Sequence, residues 1–386
     1  MSSCPKYRYK IHDKLYDLTE FVKIHPGGTD MFNNLRPDTN ITPMLYLYHK
    51  NPKSILEILP KYEVPMPENI VIKYDTNYTY DTYCELKQQV YDEIHEKKIP
   101  LYWTNQELAY NIGMVSLYLT THGYCMYNAN HLSYWWIVLL AFMYTGIGNL
   151  IYHEVCHYCG VKNQAINQFL MLCTYPLMVE QNWKYIHNYS HHCFTNTDYD
   201  FDFAHPTQSI RHSEKHTHHW YNRLQSLYSL ILFKLAFIHK GVYISIKQKT
   251  YNWTYVPVFL FFYGVNKTLV WYLLCGFMFA FVAQVSHIQH ECVQINKERK
   301  NDFLYNQVSS SMNYRTDDPI TRIFCFGLDI QIEHHLYPNI PHSSLRRIQH
   351  IVRNYCDKND IPYVENPHFF HSMWSYLLYI YKLGNP

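Results

Sequence analysis

The sequence predicts an all-α membrane domain of about four transmembrane helices, preceded by a small α+β domain and a linker. One observation behind this prediction is a pair of long stretches without charge near the middle of the 386-residue chain, which suits membrane-spanning helices. Another is a polar N-terminal segment that contains a Gly-Gly turn and ends in a proline-rich linker. These features divide the chain into residues 1–68, 69–100 and 101–386.

Composition limits the classes of function. The formal net charge is +2 and no concentrated basic face occurs, which argues against nucleic acid as a partner. The eleven cysteines follow no repeating spacing, and Cys125, Cys173 and Cys275 lie in apolar runs, so we expect a reducing, cytosol-facing environment. The N-terminus lacks the apolar core of a signal peptide, so we expect the first domain to remain in the cytosol.

The first domain is organised around the sequence His25-Pro-Gly-Gly. Paired glycines let the backbone turn tightly and approach a flat ligand, and the proline fixes the start of that turn. The next histidine, His49, follows 24 residues later. A stiff, proline-containing linker from Glu63 to Asn69 closes the domain.

The segment from Asp81 to Lys98 is predicted to form an amphipathic helix, because apolar residues recur at helical spacing among charged neighbours. The sequence leaves open whether the apolar stripe faces a membrane surface or a protein core. The stripe consists of Tyr83, Leu86, Val90 and Ile94.

Residues 108–127 and 132–152 are predicted to span the membrane as two helices joined by a short turn on the far side. Four spans are expected, because four return the chain to its starting side. The identity of the third span stays open, since its first candidate contains charged residues and could lie at the interface. The arginine-rich final segment is typical of a cytosolic face. The remaining apolar regions are residues 224–246, 255–263 and 268–285.

Three compact histidine groups point to a metal site. Histidines four residues apart lie on one face of an α-helix, so His153 and His157 can bind one ion. By the same rule His187 and His191 share a face, and His192, rotated by about 100°, can reach a second ion. Ligation by nitrogen suits iron or zinc rather than magnesium or calcium. The third group is Gln331-Ile-Glu-His-His.

The first group also reads His-Glu-x-x-His, which is the pattern of zinc proteases, with Glu154 as the general base. This alternative leaves the N-terminal domain and the other two histidine groups without a role.

Residues 14–28, together with the spacing to His49, resemble cytochrome b5. The resemblance implies that His25 and His49 clamp the iron of haem b from both sides, so that the haem passes electrons rather than binding oxygen. Residues 36–41 depart from the family pattern. A domain that keeps its fold without haem is the alternative.

The order of the b5-like domain, HxxxH, HxxxHH and Gln331-Ile-Glu-His-His-Leu-Tyr-Pro resembles the cytochrome b5-fused front-end fatty acid desaturases, which include sphingolipid desaturases. The resemblance covers nearly the whole chain. It implies a multi-pass integral membrane enzyme of the endoplasmic reticulum whose termini and histidine groups face the cytosol. Two non-haem irons would use O2, with electrons from NADH-cytochrome b5 reductase through the haem, to introduce a cis double bond into an acyl lipid or acyl-CoA.

The same resemblance implies roles for particular residues. Gln331 stands where other desaturases have a histidine, and carboxylates beside the groups would accept imidazole N–H groups and orient the ligands. His290 is expected to have a supporting or structural role. The implied ligands are His153, His157, His187, His191, His192, His287, His334 and His335. The implied supporting residues are Gln331, Glu154, Glu333, Asp200 and Asp202.

Four further histidines fall outside these groups and are expected to form a solvated interfacial cluster: His212, His216, His218 and His219. Other functions considered are a sphingolipid long-chain-base desaturase, a lipid hydroxylase, the zinc protease, a haem-binding module without turnover and a structural membrane protein.

Overall fold

The computed structural model describes residues 7–173, 183–200, 209–232, 235, 256–293, 297–315, 325 and 327–386. In these residues the chain is mostly helical, with a small sheet near the N-terminus. The strands are β1 (Arg8–Ile11), β2 (Lys14–Asp17), β3 (Thr39–Asn40), β4 (Glu63–Val64), β5 (Asn313–Tyr314) and β6 (Glu365–Asn366).

The helices vary from single turns to one of thirty residues. The α-helices are α1 (Thr19–Val22), α2 (Asp30–Asn34), α3 (Thr42–Tyr48), α4 (Pro52–Leu56), α5 (Asp81–Glu96), α6 (Asn105–Tyr127), α7 (Tyr134–Ile147), α8 (His153–Cys156), α9 (Gln164–Cys173), α10 (His192–Phe194), α11 (Val256–Val285), α12 (His290–Val293), α13 (Phe303–Ser309), α14 (Gln331–Leu336), α15 (His342–Lys358) and α16 (Phe369–Gly384). The π-helices are Gly148–Tyr152 and Lys184–His191. The 3-10 helices are Leu59–Tyr62, Ala129–His131, Trp220–Leu224 and Lys297–Arg299.

The N-terminal sheet has the strand order β3-β1-β2-β4. β1 and β2 form an antiparallel hairpin in which Tyr9 faces Tyr16, and β3 lies parallel to β1. Tyr9, Ile11 and Tyr16 are buried on the same face of the hairpin, so this face packs on a core. β4 pairs with β2, so the predicted linker begins with a strand that completes the sheet.

The chain after residue 68 stays bound to this N-terminal unit. The backbone N–H of Asn40 donates to the carbonyl of Lys73 at 3.0 Å, and Lys73 in turn donates to the carbonyl of Asp38 at 2.8 Å. Lys10 forms an ion pair with Asp75. The expected linker is therefore held against the first domain by both backbone and side-chain contacts.

Helix α5 carries the predicted apolar stripe, and all four of its residues are buried. The hydroxyl of Tyr83 donates to the carbonyl of Leu336 at 2.6 Å, which ties α5 to the third histidine group. Its neighbours are α13 and α15. The stripe therefore packs on a protein core and does not lie on a membrane surface.

Two helices of the described residues are long and apolar enough to cross a membrane, Tyr134–Cys156 and Val256–Val285. Helix α6 has 23 residues and exposes Leu117 and Leu119, but it is not among these two. Most of the predicted span at 224–246 lies outside the described residues. Four spans were expected, and the part of the chain that the structure describes contains two helices that meet these criteria.

The apolar runs 255–263 and 268–285 lie in α11 on either side of a break at Gly264, which separates two helical parts. The backbone there has φ 70° and ψ 177°, a conformation that only glycine adopts without strain. After this kink, Trp271 is buried against Tyr144 of α7, with ring centroids 5.2 Å apart. Phe259, before Gly264, stacks on Trp271, after it, with ring centroids 3.8 Å apart, so the chain folds back at this break.

Helix α7 and the part of α11 after Gly264 run in the same direction. The ammonium group of Lys267, early in α11, donates to the carbonyl of Ala129, which precedes α7. Farther along, the thiol of Cys275 contacts the carbonyl of Ala141. Their C-terminal ends therefore lie together, and that end carries the first histidine group.

Candidate metal centre

The second histidine group lies on a π-helix, Lys184–His191, and continues directly into α10. The hydrogen bonds of a π-helix join residues five apart, so residues five apart share a face. His187 and His192 consequently point to one place and His191 to another. This corrects the α-helical expectation, in which His187 and His191 would share an ion and His192 would reach the second.

One cluster, which we call the five-histidine centre, contains two histidines from the first group, two from the second and one from the third. Each residue offers one imidazole nitrogen, and these nitrogens all lie within 4.8 Å of one another. The Nε2 atoms of His153 and His187 are 2.8 Å apart, and those of His192 and His187 are 3.3 Å apart. The members are His153, His157, His187, His192 and His334.

The second cluster, the three-histidine centre, consists of His191, His287 and His335, again with one nitrogen from each within 4.8 Å. In each ring Nδ1 is engaged elsewhere. The Nδ1–H of His287 donates to the carbonyl of Ser310 at 2.9 Å, and that of His191 donates to Asp200 at 3.0 Å. Nε2 is therefore the atom of these two rings that would bind a metal.

The third ring of this cluster is oriented by a hydroxyl. Thr195 donates its only hydroxyl proton to the carbonyl of His191 at 2.7 Å, so it can accept from Nδ1–H of His335 at 3.1 Å. His335 is thereby held in the tautomer that leaves Nε2 as the ligand atom.

The two centres lie side by side. The neighbours His191 and His192 belong to different centres, and so do His334 and His335. The rings of His192 and His335 stack across the boundary with centroids 4.4 Å apart. Two ions in these centres would therefore be close neighbours within one pocket.

The donor set fits transition metals. All eight histidines are buried, with at most 7% of any side chain exposed. Burial among other imidazoles lowers the pKa of His157, His192, His334 and His335 well below the ordinary value, so these rings are neutral and can donate a lone pair. Neutral imidazoles without oxygen donors suit iron, copper or zinc rather than magnesium or calcium.

Several ligand atoms lack any other role. Nε2 of His157, His334 and His335 is buried and has no hydrogen-bond partner among the described residues. Buried polar atoms are almost always paired, so these atoms call for an explanation. A metal ion in each centre supplies one.

The predicted carboxylates divide into two kinds. Asp200 binds His191, and the same oxygen accepts the backbone N–H of Asn196 at 3.0 Å. Glu333 instead accepts from Asn313 and Tyr363, each at 2.7 Å, and burial raises its pKa to about 7. Asp202 lies outside the described residues, and Gln331 is buried at the start of α14.

Among the described residues, Glu154 accepts no hydrogen bond from a predicted metal ligand. One of its oxygens accepts from the indole Nε1 of Trp103, and the other accepts the backbone N–H of His342 at 2.6 Å. A protease base needs a carboxylate that faces a metal-bound water. The geometry at Glu154 therefore does not support the zinc-protease interpretation.

Sequence reasoning missed three aromatic residues that contact the centre. The ring of His342 is parallel to that of His153 at 5.5 Å, and the indole of Trp183 stacks on His187 at 4.7 Å. The hydroxyl of Tyr48 lies 3.1 Å from Nδ1 of His157. His342 follows the third group by seven residues and was visible as a nearby histidine, whereas no signal connects Tyr48 to a residue 109 positions away.

The remaining histidines lie elsewhere. His290 is exposed and its ring is 6.3 Å from that of Tyr379. Nε2 of His218 lies 2.9 Å from the carbonyl of Gly384, at the end of α16. His216 and His219 are exposed and His212 is buried, so the predicted solvated cluster is only partly solvated.

His25 and His49 face each other in the N-terminal unit, with ring centroids 6.0 Å apart. Nδ1–H of His25 donates to the carbonyl of Gly28 and Nδ1–H of His49 to that of Leu45, each at 3.0 Å, which leaves both Nε2 atoms for a ligand. Burial lowers the pKa of His49 to about 4, so this ring is neutral. The pair thus fits the binding of one metal by both rings.

Comparison with known proteins identifies the family. A profile described as fatty acid desaturase matches residues 129–367, well over half of the chain. The chain belongs to the fatty acid desaturase family. This desaturase is therefore an oxygen-dependent oxidoreductase that acts on fatty acyl chains, and its two histidine centres fit a di-iron site.

Full-length relatives agree with this assignment. The desaturase is 22% identical to "Acyl-lipid (8-3)-desaturase B" of Dictyostelium discoideum, over 97% of this chain and 90% of the relative. It is 24% identical to "Acyl-lipid (8-3)-desaturase" of Physcomitrium patens, over 97% and 87% of the two chains. It is 23% identical to "Delta(8)-fatty-acid desaturase" of Borago officinalis, over 92% and 85%. No solved structure matches the desaturase.

Proposed function

We propose that this desaturase introduces a cis double bond into an acyl lipid or acyl-CoA, between an existing double bond and the carboxyl end. The observation that carries the proposal is the pair of adjacent, buried, all-histidine centres in a chain that aligns over 97% of its length with an acyl-lipid (8-3)-desaturase. The relative named for position eight supports insertion on the carboxyl side.

The eight histidines would hold two irons, one in each centre. Bound irons would supply the activation of O2 that removes two hydrogens from adjacent methylene groups. The chain's own contribution is to fix the ligand atoms and to exclude water. The contacts from Asp200, Ser310 and Thr195 keep Nδ1 of three ligands occupied, and burial keeps bulk water from the reacting centre.

Haem b is proposed to bind between His25 and His49. With a metal–nitrogen bond of about 2.0 Å, two imidazoles on opposite sides of one iron have centroids roughly 6 Å apart, and the observed separation is 6.0 Å. Gly27 supports this site, because a side chain there would begin 2.8 Å from Cε1 of His25. NADH-cytochrome b5 reductase is the proposed electron donor.

The desaturase is proposed to be a multi-pass protein of the endoplasmic reticulum membrane, with both termini and the histidine groups in the cytosol. The first histidine group follows α7, and His287 follows α11 by two residues. Because these helices run in the same direction, the chain has to return between them. One further crossing between residues 193 and 264, together with α6, gives the four proposed spans.

Expression in a yeast that lacks polyunsaturated lipids tests the proposed activity. Fed fatty acids of eighteen and twenty carbons should gain a double bond on the carboxyl side of an existing one, as mapped by mass spectrometry. A matched control is His290→Ala, which should retain activity that His287→Ala abolishes. New unsaturation on the methyl side, unsaturated long-chain bases, or hydroxylated lipids would each overturn the proposed reaction.

A further inference from the structure

The N-terminal unit makes direct contact with the five-histidine centre. Tyr48 is the last residue of α3, and its hydroxyl lies 3.1 Å from Nδ1 of His157 and 3.3 Å from the carbonyl of Asn188. The backbone of Tyr48 is held as well, because the side-chain amide of Asn339 donates to its carbonyl at 3.2 Å. Tyr48 thus touches both of the first two histidine groups.

Only one arrangement of protons satisfies both hydrogen bonds of the Tyr48 hydroxyl. A tyrosine hydroxyl has a single proton, and a backbone carbonyl can only accept, so Tyr48 donates to Asn188. Its oxygen then accepts, which requires the proton of His157 to be on Nδ1. In that tautomer Nε2 carries the lone pair, and Nε2 is the buried atom that lacks a hydrogen-bond partner among the described residues.

The contact belongs to a broad interface. The buried ammonium group of Lys184, at the start of the second histidine group, pairs with Asp30 of α2, and Tyr158 donates to the same carboxylate at 2.9 Å. The hydroxyl of Tyr189 donates to the carbonyl of Asn40 at 2.7 Å. Contacts on both sides of Tyr48 therefore hold the N-terminal unit in one orientation against the histidine groups.

We propose that Tyr48 is a positioning residue of the five-histidine centre, so that the N-terminal unit completes one of the two metal sites in addition to its proposed role with haem. The proposal rests on the proposed di-iron centre. Tyr48 is joined by a peptide bond to His49, so one dipeptide contacts both proposed cofactor sites. Loss of this contact would weaken one metal site and leave the three-histidine centre intact.

The substitution Tyr48→Phe tests this role, because it removes the hydroxyl and keeps the ring. Full-length wild-type and variant proteins, stripped of non-haem metal in detergent, would be dialysed against graded concentrations of Co(II), and bound cobalt would be counted. Removal of a residue that orients a metal ligand typically weakens binding by about 10–100-fold. We expect this loss for one of two cobalt ions, with the other ion and the haem absorption unchanged.

Tyr189→Phe is the matched control. It removes a hydroxyl-to-carbonyl bond across the same interface, but this hydroxyl binds the Asn40 carbonyl and no imidazole. Wild-type cobalt affinity in Tyr189→Phe, together with the selective loss in Tyr48→Phe, would support the proposal. An equal loss in both variants would show that docking alone matters and would overturn it.

Three other results of the cobalt titration would separate the role of Tyr48 from the di-iron proposal. Two cobalt ions bound by Tyr48→Phe with wild-type affinity would overturn the role of Tyr48 and leave the di-iron proposal standing. Loss of both ions, or of haem absorption as well, would assign Tyr48 to folding and overturn the proposal. Failure of the wild-type protein to bind Co(II) would instead contradict the proposed di-iron centre.

Discussion

Replacing His191 and replacing His192 with alanine should have different effects on bound metal, although the two residues are neighbours. The π-helical backbone sends His191 to the three-histidine centre and His192 to the five-histidine centre. His191→Ala therefore leaves two protein ligands in its centre, and His192→Ala leaves four. An α-helical second group would pair His191 with His187 instead.

The magnitude follows from the number of ligands. Binding free energies of about 10–16 kcal/mol for four-ligand zinc sites correspond to about 2.5–4 kcal/mol for each ligand. Two remaining ligands then contribute about 5–8 kcal/mol, a Kd of about 1 µM or weaker, which does not survive purification. Four remaining ligands still contribute about 10–16 kcal/mol, which holds the ion through purification although more weakly than five ligands do. We expect about one non-haem metal ion per chain in His191→Ala and about two in His192→Ala.

The assay is metal analysis of the purified variants, corrected for haem iron by the pyridine haemochrome method. His216→Ala serves as a control, because this histidine is exposed and lies outside both centres. Equal metal content in His191→Ala and His192→Ala, or greater loss from His192→Ala, would refute the assignment of the two histidines to separate centres. One zinc and no iron in the wild-type protein would contradict the di-iron site.

Three further outcomes are expected. His49→Ala in the full-length protein should abolish the Soret absorption of haem, and turnover should then need a separate cytochrome b5; an unchanged spectrum would contradict the haem site. A glycosylation acceptor inserted in the turn 128–131 should be modified and one at the C-terminus should not, so modification at the C-terminus would refute the topology. Asp30→Ala should destabilise the protein by about 3 kcal/mol, because it removes the carboxylate that pairs with the buried ammonium of Lys184, whereas Glu20→Ala, at an exposed ion pair, should cost less than about 1 kcal/mol. Thermal unfolding in detergent compares the last two variants.

The partners of the Glu154 carboxylate show why the His-Glu-x-x-His pattern alone does not identify a protease. Trp103, 51 positions earlier, and His342, 188 positions later, bind its two oxygens. The five-residue pattern is the same in a zinc protease and in this desaturase. What separates the two is where the carboxylate points, and distant residues decide that.

The sequence by itself determined the features that depend on neighbouring residues. Histidine spacing predicted the three histidine groups whose members the structure brings together, because residues close in sequence are close in space on any helix. The stripe from Tyr83 to Ile94 identified α5 by the same reasoning, but it left the burial partner open. The family followed from local motifs in a fixed order, and the profile match confirmed it.

Only the tertiary structure decided how the groups combine. The π-helix at Lys184–His191 exchanges the partners of His191 and His192, and this segment contacts other elements, as in the bond between Tyr189 and Asn40. The bond between Tyr48 and His157 joins residues 109 positions apart. Such contacts depend on how whole elements pack, because each is made between surfaces that no local pattern specifies.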